Sequence, residues 1–596
     1  MQLPPRAMTA CLCFPCLLFL SACSAVGGGG ANLTISVSAG MTTLQAGAST
    51  GLTANVMHSG GNPTVTWSLS GATCPNGCGA ISSGANGEQY MAPDFAPASF
   101  MVTVTATAAA DMTKSASVVL TVTHSLSVTC PSGNEGALSG PYAFLMGGGG
   151  SVGGIQVSGS IAADGKGNIT AGLQDVNSKD SGPETGLTIL AVQSLYSVGP
   201  DNRGCLGLVD SSNTVHIYRF ALASFSSGVA ASARLIEFDD STGNGTRMEG
   251  YLARQDPTSF SNSALQGNYV FGMTGGDFSG GRYVSAGVCT AGAGTFGNGN
   301  LDSDDAGTLV TNQSGISGTY NVATTGRGTM TLNGQNFVLY MISASRWLAM
   351  ASDSLDATHP LLSGQFQLQS GSFTNASLNS AAVLALTTFD PSGPTVGASV
   401  GLLTPNAAGS ATQVLDTNSG GTYSPMQSSS FTYSVAANGR VAISGIAQPP
   451  VYYLWAPNHG YIVGTDSAAT HGTLEPQAAG PFGNTLLSGT YAYGTEGTGV
   501  GGRLTAVGAT TFDGMQNVQG TEDDSSPAGL VPNKPVSNTQ YLFSSTSTVP
   551  GRGTMDVNNS INPSVAYIVS ANKVIYINIP AAVTPATKPP LVIVEK

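Results

Sequence analysis

Residues 250–265 read GYLARQDPTSFSNSAL, and their pattern decides the fold. Gly250-x-Leu252-x-x-Gln255 runs into Phe260-x-Asn262-x-x-Leu265. The pattern returns as Gly364-x-Phe366-x-x-Gln369 with Phe373-x-Asn375-x-x-Leu378, and as Gly472-x-Leu474-x-x-Gln477 with Phe482-x-Asn484-x-x-Leu487. A fourth start stands at Leu138, in LSGPYAF. The starts recur roughly every 110–130 residues, too long a period for one propeller blade and enough for a small domain. Landmarks after each start keep register. The pairs Tyr142/Phe144, Tyr269/Phe271, Ala382/Leu384 and Tyr491/Tyr493 come first, spaced to share one face of a strand. An acidic turn is expected next, at Asp175-x-Asn177, Asp302-x-Asp304, Asp416-x-Asn418 and Asp523-Asp524. Then comes an Arg beside Gly (Arg203, Arg327, Arg440, Arg552), and then a Tyr on an apolar strand (Tyr218, Tyr340, Tyr453, Tyr567).

Within one copy, strand-like segments alternate with Gly, Asp and Asn turns. In the second copy they fall at 267–272, 282–289, 293–297, 318–323, 328–332, 336–342, 346–351 and 364–369. Short links imply an antiparallel meander. About eight strands suffice to close a small up-and-down barrel, which also removes sheet edges. The fold expected is therefore all-β, with four tandem β-barrels at 130–264, 265–377, 378–486 and 487–596. A two-sheet sandwich for each copy is the alternative.

Ahead of the repeats, residues 32–124 carry short Val/Thr/Leu segments between breaks: Leu33–Val37, Leu52–Val56, Val65–Leu69, Met101–Ala106 and Ala116–Val122. Trp67 falls mid-segment in TVTWSLS, where a core Trp on a central strand is expected. With the closing TVTVTAT…KSASVVLTV stretch, this part resembles bacterial Ig-like domains of cell-surface proteins. The resemblance implies a β-sandwich used as a spacer or adhesive module.

At the N-terminus, Arg6 precedes an apolar run from about Ala10 to Leu20, too short to span a bilayer and suited to a signal peptide. Leu20-Ser21-Ala22-Cys23 resembles the lipobox of bacterial lipoproteins. It implies a leader over 1–22, cleavage before Cys23, and acylation of Cys23. Ser24 follows instead of Asp, which by the family rule implies the outer membrane. Residues 23–31, with Gly27 to Gly30, read as a lipid-anchored flexible tether.

Of nine Cys, three leave with that leader and Cys23 is the anchor. Cys74-Pro-Asn-Gly-Cys78 can close a small loop disulfide. Cys130 and Cys205 can staple the entry of the first repeat to an interior strand, with Cys289 left over. Zinc at Cys74 and Cys78 would need two more ligands, and none is nearby.

Composition narrows function. Only 9% of the 596 residues are charged, 80 are Gly, and the formal net charge is −13. No Lys/Arg-rich run exists, which argues against nucleic acid as a partner. The nucleophile-elbow strings at Gly47 to Gly51 and Gly149 to Gly153 lack a strand–turn–helix context. The dinucleotide strings at Gly292 to Gly297 and Gly497 to Gly502 have no helix after them. No enzyme, metal or cofactor is expected.

The repeat as a whole resembles modules of uncharacterised exported lipoproteins of environmental bacteria. These carry an L-x-G-x-Y-x-F start, an ADGxGNI hairpin (here Ala163 to Ile169), a D-x-N turn and a G-R-G strand. No known activity comes with them.

In a chain so poor in charge, Asp175, Asp302, Asp416 and Asp523, with Arg203, Arg327, Arg440 and Arg552, are the sharpest candidate site. One reading puts a polar site in each lumen. The favoured reading is a structural Arg–carboxylate pair or backbone clamp that fixes the meander. Asp302 to Asp305 is a Ca²⁺ candidate by composition, but a polar hairpin turn fits better. The function expected is a lipid-anchored cell-surface protein with a structural, adhesive or interaction role. Its modules would form a stalk, with a surface protein or polysaccharide as partner and membrane contact through the lipid alone. The alternative is a solute-binding protein whose lumens hold a small apolar or sugar ligand.

Overall fold

The computed structural model describes residues 32–596, save 59, 75–76, 85–86, 151–152, 391–394, 497–503, 557–563 and 580–590. The leader, Cys23 and the tether lie outside the described residues. The chain is all-β, as its alternating segments and Gly-rich turns dictate.

Residues 34–122 form two packed sheets. One holds Thr34–Ala39, Ser49–Met57, Gly87–Met91 and Ala80–Gly84. The other holds Thr43–Leu44, Ser115–Val122, Phe100–Ala108 and Val65–Ser70. Period two is literal in Phe100–Ala108: Val102, Val104 and Ala106 are buried, and Thr103 and Thr105 turn away from the core. Leu52, Tyr90, Leu120 and Val122 complete that core from both sheets. Trp67 departs from expectation. Its strand is the edge of its sheet, and the ring is only half-buried against the core. Cys74 and Cys78 are bridged, with Cα atoms 4.9 Å apart.

The second, third and fourth repeats are closed eight-stranded antiparallel barrels. In the second, the strands are Gly267–Gly276, Arg282–Gly292, Thr295–Asp305, Thr308–Val322, Arg327–Leu332, Gln335–Ser343, Arg346–Ala351 and Leu361–Leu368. First and eighth strands pair to close each barrel, with Phe271 opposite Phe366, Leu384 opposite Leu474 and Tyr493 opposite Val594. The third and fourth strands run much longer than their sequence suggests. The Asp/Asn/Gly-rich stretch 298–315 is a bulged hairpin and not a loop. The acidic turns are corrected accordingly. Asp175, Asp302, Asp416 and Asp523 all sit inside third strands and are at most 2% exposed.

The first repeat is also corrected. It is a nine-stranded sheet, not a closed barrel. Where the other modules have one long fourth strand, this one breaks into Gly182–Thr188 and Leu195–Val198 around a 3-10 turn at Ala191–Gln193. Two isolated bridges, Asn168 to Leu195 and Ile189 to Asp210, flank the break. Cys130 and Cys205 are bridged there, with Cα atoms 5.7 Å apart.

Each module is plugged at one end by its start motif. The starting Leu138, Leu265, Leu378 and Leu487 are at most 1% exposed. A Tyr on the fourth strand, or on its counterpart in the first module, donates to the carbonyl of that Leu: Tyr196, Tyr320, Tyr433 and Tyr541, at 2.8, 2.9, 3.2 and 3.2 Å. The motif Asn accepts a backbone N–H of the same strand: Asn262 from Val322, Asn375 from Val435 and Asn484 from Phe543. A polar chain end is thereby satisfied inside an apolar lumen, where an unpaired group costs about 1–3 kcal/mol. The pairs after each start, aromatic in modules 1, 2 and 4 and Ala382/Leu384 in module 3, share one strand face as their i, i+2 spacing predicts, and that face is the lumen side.

Candidate functional site: the seams between modules

The sixth strands read FVLYMIS (337–343), VYYLWA (451–456) and SVAYIVS (564–570), apolar at nearly every position. Such strands must be buried on both faces. One face fills the lumen and the other meets a neighbouring module. Module 1 offers Ala143, Leu145 and Ala253 to Val338, Tyr340 and Leu348 of module 2. Val270, Val284 and Val288 of module 2 meet Val451, Tyr453 and Val463 of module 3. Val383, Val400 and Leu402 of module 3 meet Val565, Tyr567 and Ile575 of module 4. The fourth seam joins the two ends of the series. Ala221, Ala223, Ile236 and Phe238 of module 1 pack on Ala492 and Val507 of module 4. The four modules therefore close into a ring. This corrects the stalk expected from tandem order.

Every repeated Arg and Asp lies in a seam. Arg327 grips Asp175 of the preceding module through Nε and Nη2, at 2.8 and 2.6 Å. Arg440 holds Asp302 at 2.7 Å through each of the same nitrogens, and Arg552 holds Asp416 at 2.8 Å through each. The repeated Tyr donates to the same carboxylate: Tyr340 to Asp175, Tyr453 to Asp302 and Tyr567 to Asp416, at 2.5, 2.6 and 2.7 Å. The remaining demand on the Asp is met by a backbone N–H of its own module: Gly186, Asn312 and Met426.

At the closing seam Arg203 takes Asp523 by one nitrogen, Nη1, at 2.7 Å. Its Nε goes to Asp201 and its Nη2 to Asn533. The Tyr expected here is corrected: Ala221 stands opposite Arg203 where the other modules have the Tyr, while Tyr218 lies in the module 1 core without a hydrogen bond, and Arg219 stands 3.9 Å from Asp523. The pairing expected from sequence is present, but it ties one module to the next and does not fix a meander. None of the four Arg–Asp pairs belongs to a lumen core.

The Gly beside each Arg has a mechanical cause. The residue before the Arg lies in the left-handed region in all four modules: Asn202, Gly326, Gly439 and Gly551, with φ of 67°, 81°, 83° and 75°. Its carbonyl accepts from Leu222, Met341, Leu454 or Ile568 of the sixth-strand segment or its equivalent.

The motif Gln had no role assigned from sequence. Gln255 donates to the Met341 carbonyl of the next module, Gln369 to Asn438 and Leu454, and Gln477 to Pro550 and Ile568. Its recurrence at a fixed place before each start was the available signal.

Electrostatics follow from burial. Desolvation pushes the Asp416 carboxyl up, but hydrogen bonds from Arg552, Tyr423 and Tyr567 outweigh it and hold the group below its ordinary value. Burial, then Asp175, pushes the Tyr340 phenol well up, so it stays a donor.

On the ring axis a cavity of about 310 Å³ touches all four modules. Gly148, Gly250, Gly275 and Gly364 line it, and a Cβ on any of them would run into the backbone of a neighbouring strand. Its polar groups largely serve one another. Arg282 donates to the Thr387 carbonyl (2.6 Å) and hydroxyl (2.8 Å) across one seam. Thr495 donates to Glu249 at 2.6 Å across another. Burial, then Arg282, pushes the His471 imidazole down to about 3, so it is neutral near pH 7.

Among the described residues no group of three or more His, Cys, Asp or Glu is placed to hold a metal. Both Asp302 oxygens are occupied by Arg440, Tyr453 and the Asn312 N–H. Cys289 is a buried free thiol, and burial pushes its pKa well up.

No protein-family model matches the chain, and no curated protein matches it. Among solved structures the chain is similar to a crystal structure of a protein of unknown function from the DUF3598 family of Nostoc punctiforme. Identity is 9% over 47% of this chain and 89% of that one, with a TM-score of 0.11. A superposition of that quality carries no argument about fold or function.

Proposed function

We propose that this chain is an exported, lipid-anchored surface protein whose four-module ring is a rigid, non-catalytic interaction platform. Residues 32–124 are its Ig-like spacer, and Cys23 is its point of attachment to the outer membrane. A surface protein or polysaccharide is its partner.

The observation that carries the reading is where the repeated polar residues go. The four repeated Arg and Asp, three of the four repeated Tyr and the three motif Gln are consumed in holding neighbouring modules together. Repetition that serves rigidity suits a platform, which gains avidity from several weak contacts at fixed spacing. The two disulfides suit an oxidising compartment. Among the described residues no helix is long and apolar enough to cross a membrane, so attachment in this reading rests on Cys23.

The test is palmitate labelling of the full chain expressed in a Gram-negative host. The wild type should carry label and sediment with membranes, and Cys23→Ser should lose both. An unlabelled wild-type chain would end the anchored reading.

A further inference from the structure

The module 2 lumen is not filled to both ends. Its plugged half holds a dense aromatic stack: Trp347 lies 4.8 Å from Phe366 and 4.2 Å from Tyr269, ring centre to ring centre. Above the stack, toward the opposite mouth, a cavity of about 260 Å³ remains. Phe271, Met273, Leu301, Ile316, Phe337 and Leu362 form its apolar wall. All six are buried, so the wall belongs to the core and not to the surface. An engineered apolar cavity of roughly 150 Å³ stays dry and takes benzene. This cup differs in opening at a polar rim, and a ligand filling it would recover dispersion contacts along its apolar wall.

The mouth is organised and polar. Gln335 Nε2 donates to the Pro360 carbonyl at 2.7 Å, which ties a turn to the segment carrying His359. The Nδ1 side of His359 is taken by Asp356 and Thr358, at 3.0 Å each. Its Nε2 has no hydrogen-bond partner among the described residues. Tyr283, bonded to Ser303 at 3.1 Å, stands on the same rim.

We propose that this end of the module 2 lumen is a binding cup for a compact aromatic molecule. Its one or two fused rings would lie against Phe271 and Phe337, and a single hydroxyl or carboxyl head would lie at the His359 rim. Aromatic walls favour offset or edge-on ring contacts, and the volume admits two fused rings. The cup lies within one module, so occupancy does not depend on how the chain is anchored.

Calorimetric titration of the full ectodomain with 1-naphthol tests this. One saturable site per chain with micromolar affinity is expected. Ile316→Trp, which fills the cup, should weaken binding at least tenfold. Val536→Trp, the corresponding position of module 4, should leave it within twofold. Should Ile316→Trp fail to fold, the milder Leu301→Phe is the filling variant. A chain with Trp67→Phe and Trp455→Phe reports from Trp347 alone, and its emission should change in step with saturation. Absence of a saturable site, undiminished binding in the filled variant, or unmoved Trp347 emission at saturation would each overturn the proposal.

Discussion

Arg327 and its three counterparts are held by geometry that tolerates no partial replacement. Asp175 is fully buried, and Arg327 supplies two of its hydrogen bonds. Removing the Arg leaves an uncompensated charge beside Tyr340. A broken buried pair of this kind costs about 3–5 kcal/mol. Arg327→Ala should therefore lower the melting temperature clearly in a thermal scan. Arg327→Met combined with Asp175→Leu and Tyr340→Phe should recover most of the loss, because an intact buried pair contributes little net stability over apolar packing. Asp302 gives a second expectation. With its oxygens already occupied, melting curves in calcium and in chelator should coincide.

Glu237 titrates the other way. Burial, reinforced by Asp239, holds its carboxyl above the ordinary 4.5. The folded state thus binds its proton more tightly than the unfolded chain does. That contribution to stability is complete below pH 4.5 and is lost as pH rises through the raised value. The melting temperature should fall between about pH 5 and about pH 8, and Glu237→Gln should flatten the slope.

At the scale of elements, the left-handed residue before each repeated Arg, Asn202 in the first module and Gly in the other three, is a joint. Gly439 has φ +83°, and an added Cβ would lie 2.6 Å from both Gln369 Nε2 and the Leu454 carbonyl. Gly439→Ala should destabilise by about 1–2 kcal/mol from backbone strain alone. It should lose more as the Gln369 clamp is displaced, with the deficit read from denaturant midpoints.

Elements were also where sequence reading succeeded and failed. Alternation and turn chemistry located the eight strands of the second repeat but missed Ala80–Gly84 and Gly87–Met91 in the first domain, and the spacing of Tyr142/Phe144 and its counterparts placed each pair on one strand face. Stretch 298–315 misled because Asp, Asn and Gly signal turns when read locally. Asp302 keeps strand geometry there because its carboxylate is satisfied from another module, and local propensity cannot register such a partner. The same blindness hid the partners of Arg327. Its fixed register was legible, but its destination lies 152 residues upstream in a different module.

For the whole molecule, magnitudes rank the forces. Each seam buries an apolar layer, rich in Val, Leu, Ile and Tyr at the first three and built of Ala, Ile, Phe and Val at the fourth, and a Val, Leu, Ile or Phe side chain is worth about 1.5–3 kcal/mol when fully buried. One ion pair adds little net to that sum. The apolar layer therefore drives closure, and the Arg–Asp–Tyr tie selects which faces meet and in what register. Low overall charge makes this selection clean, since few other ions compete for the carboxylates.

Closure itself rests on the fourth seam, where module 1 meets module 4. There the Ser224 N–H donates to the carbonyl of Lys596, and Phe225 and Asn572 border the same crevice. Spin labels at Phe225→Cys and Asn572→Cys, measured by double electron–electron resonance, test this directly. A closed ring predicts one narrow distance below about 25 Å. An open string places two barrels between the labels, each about 30 Å along its strands. A broad distribution centred beyond about 60 Å would contradict the ring.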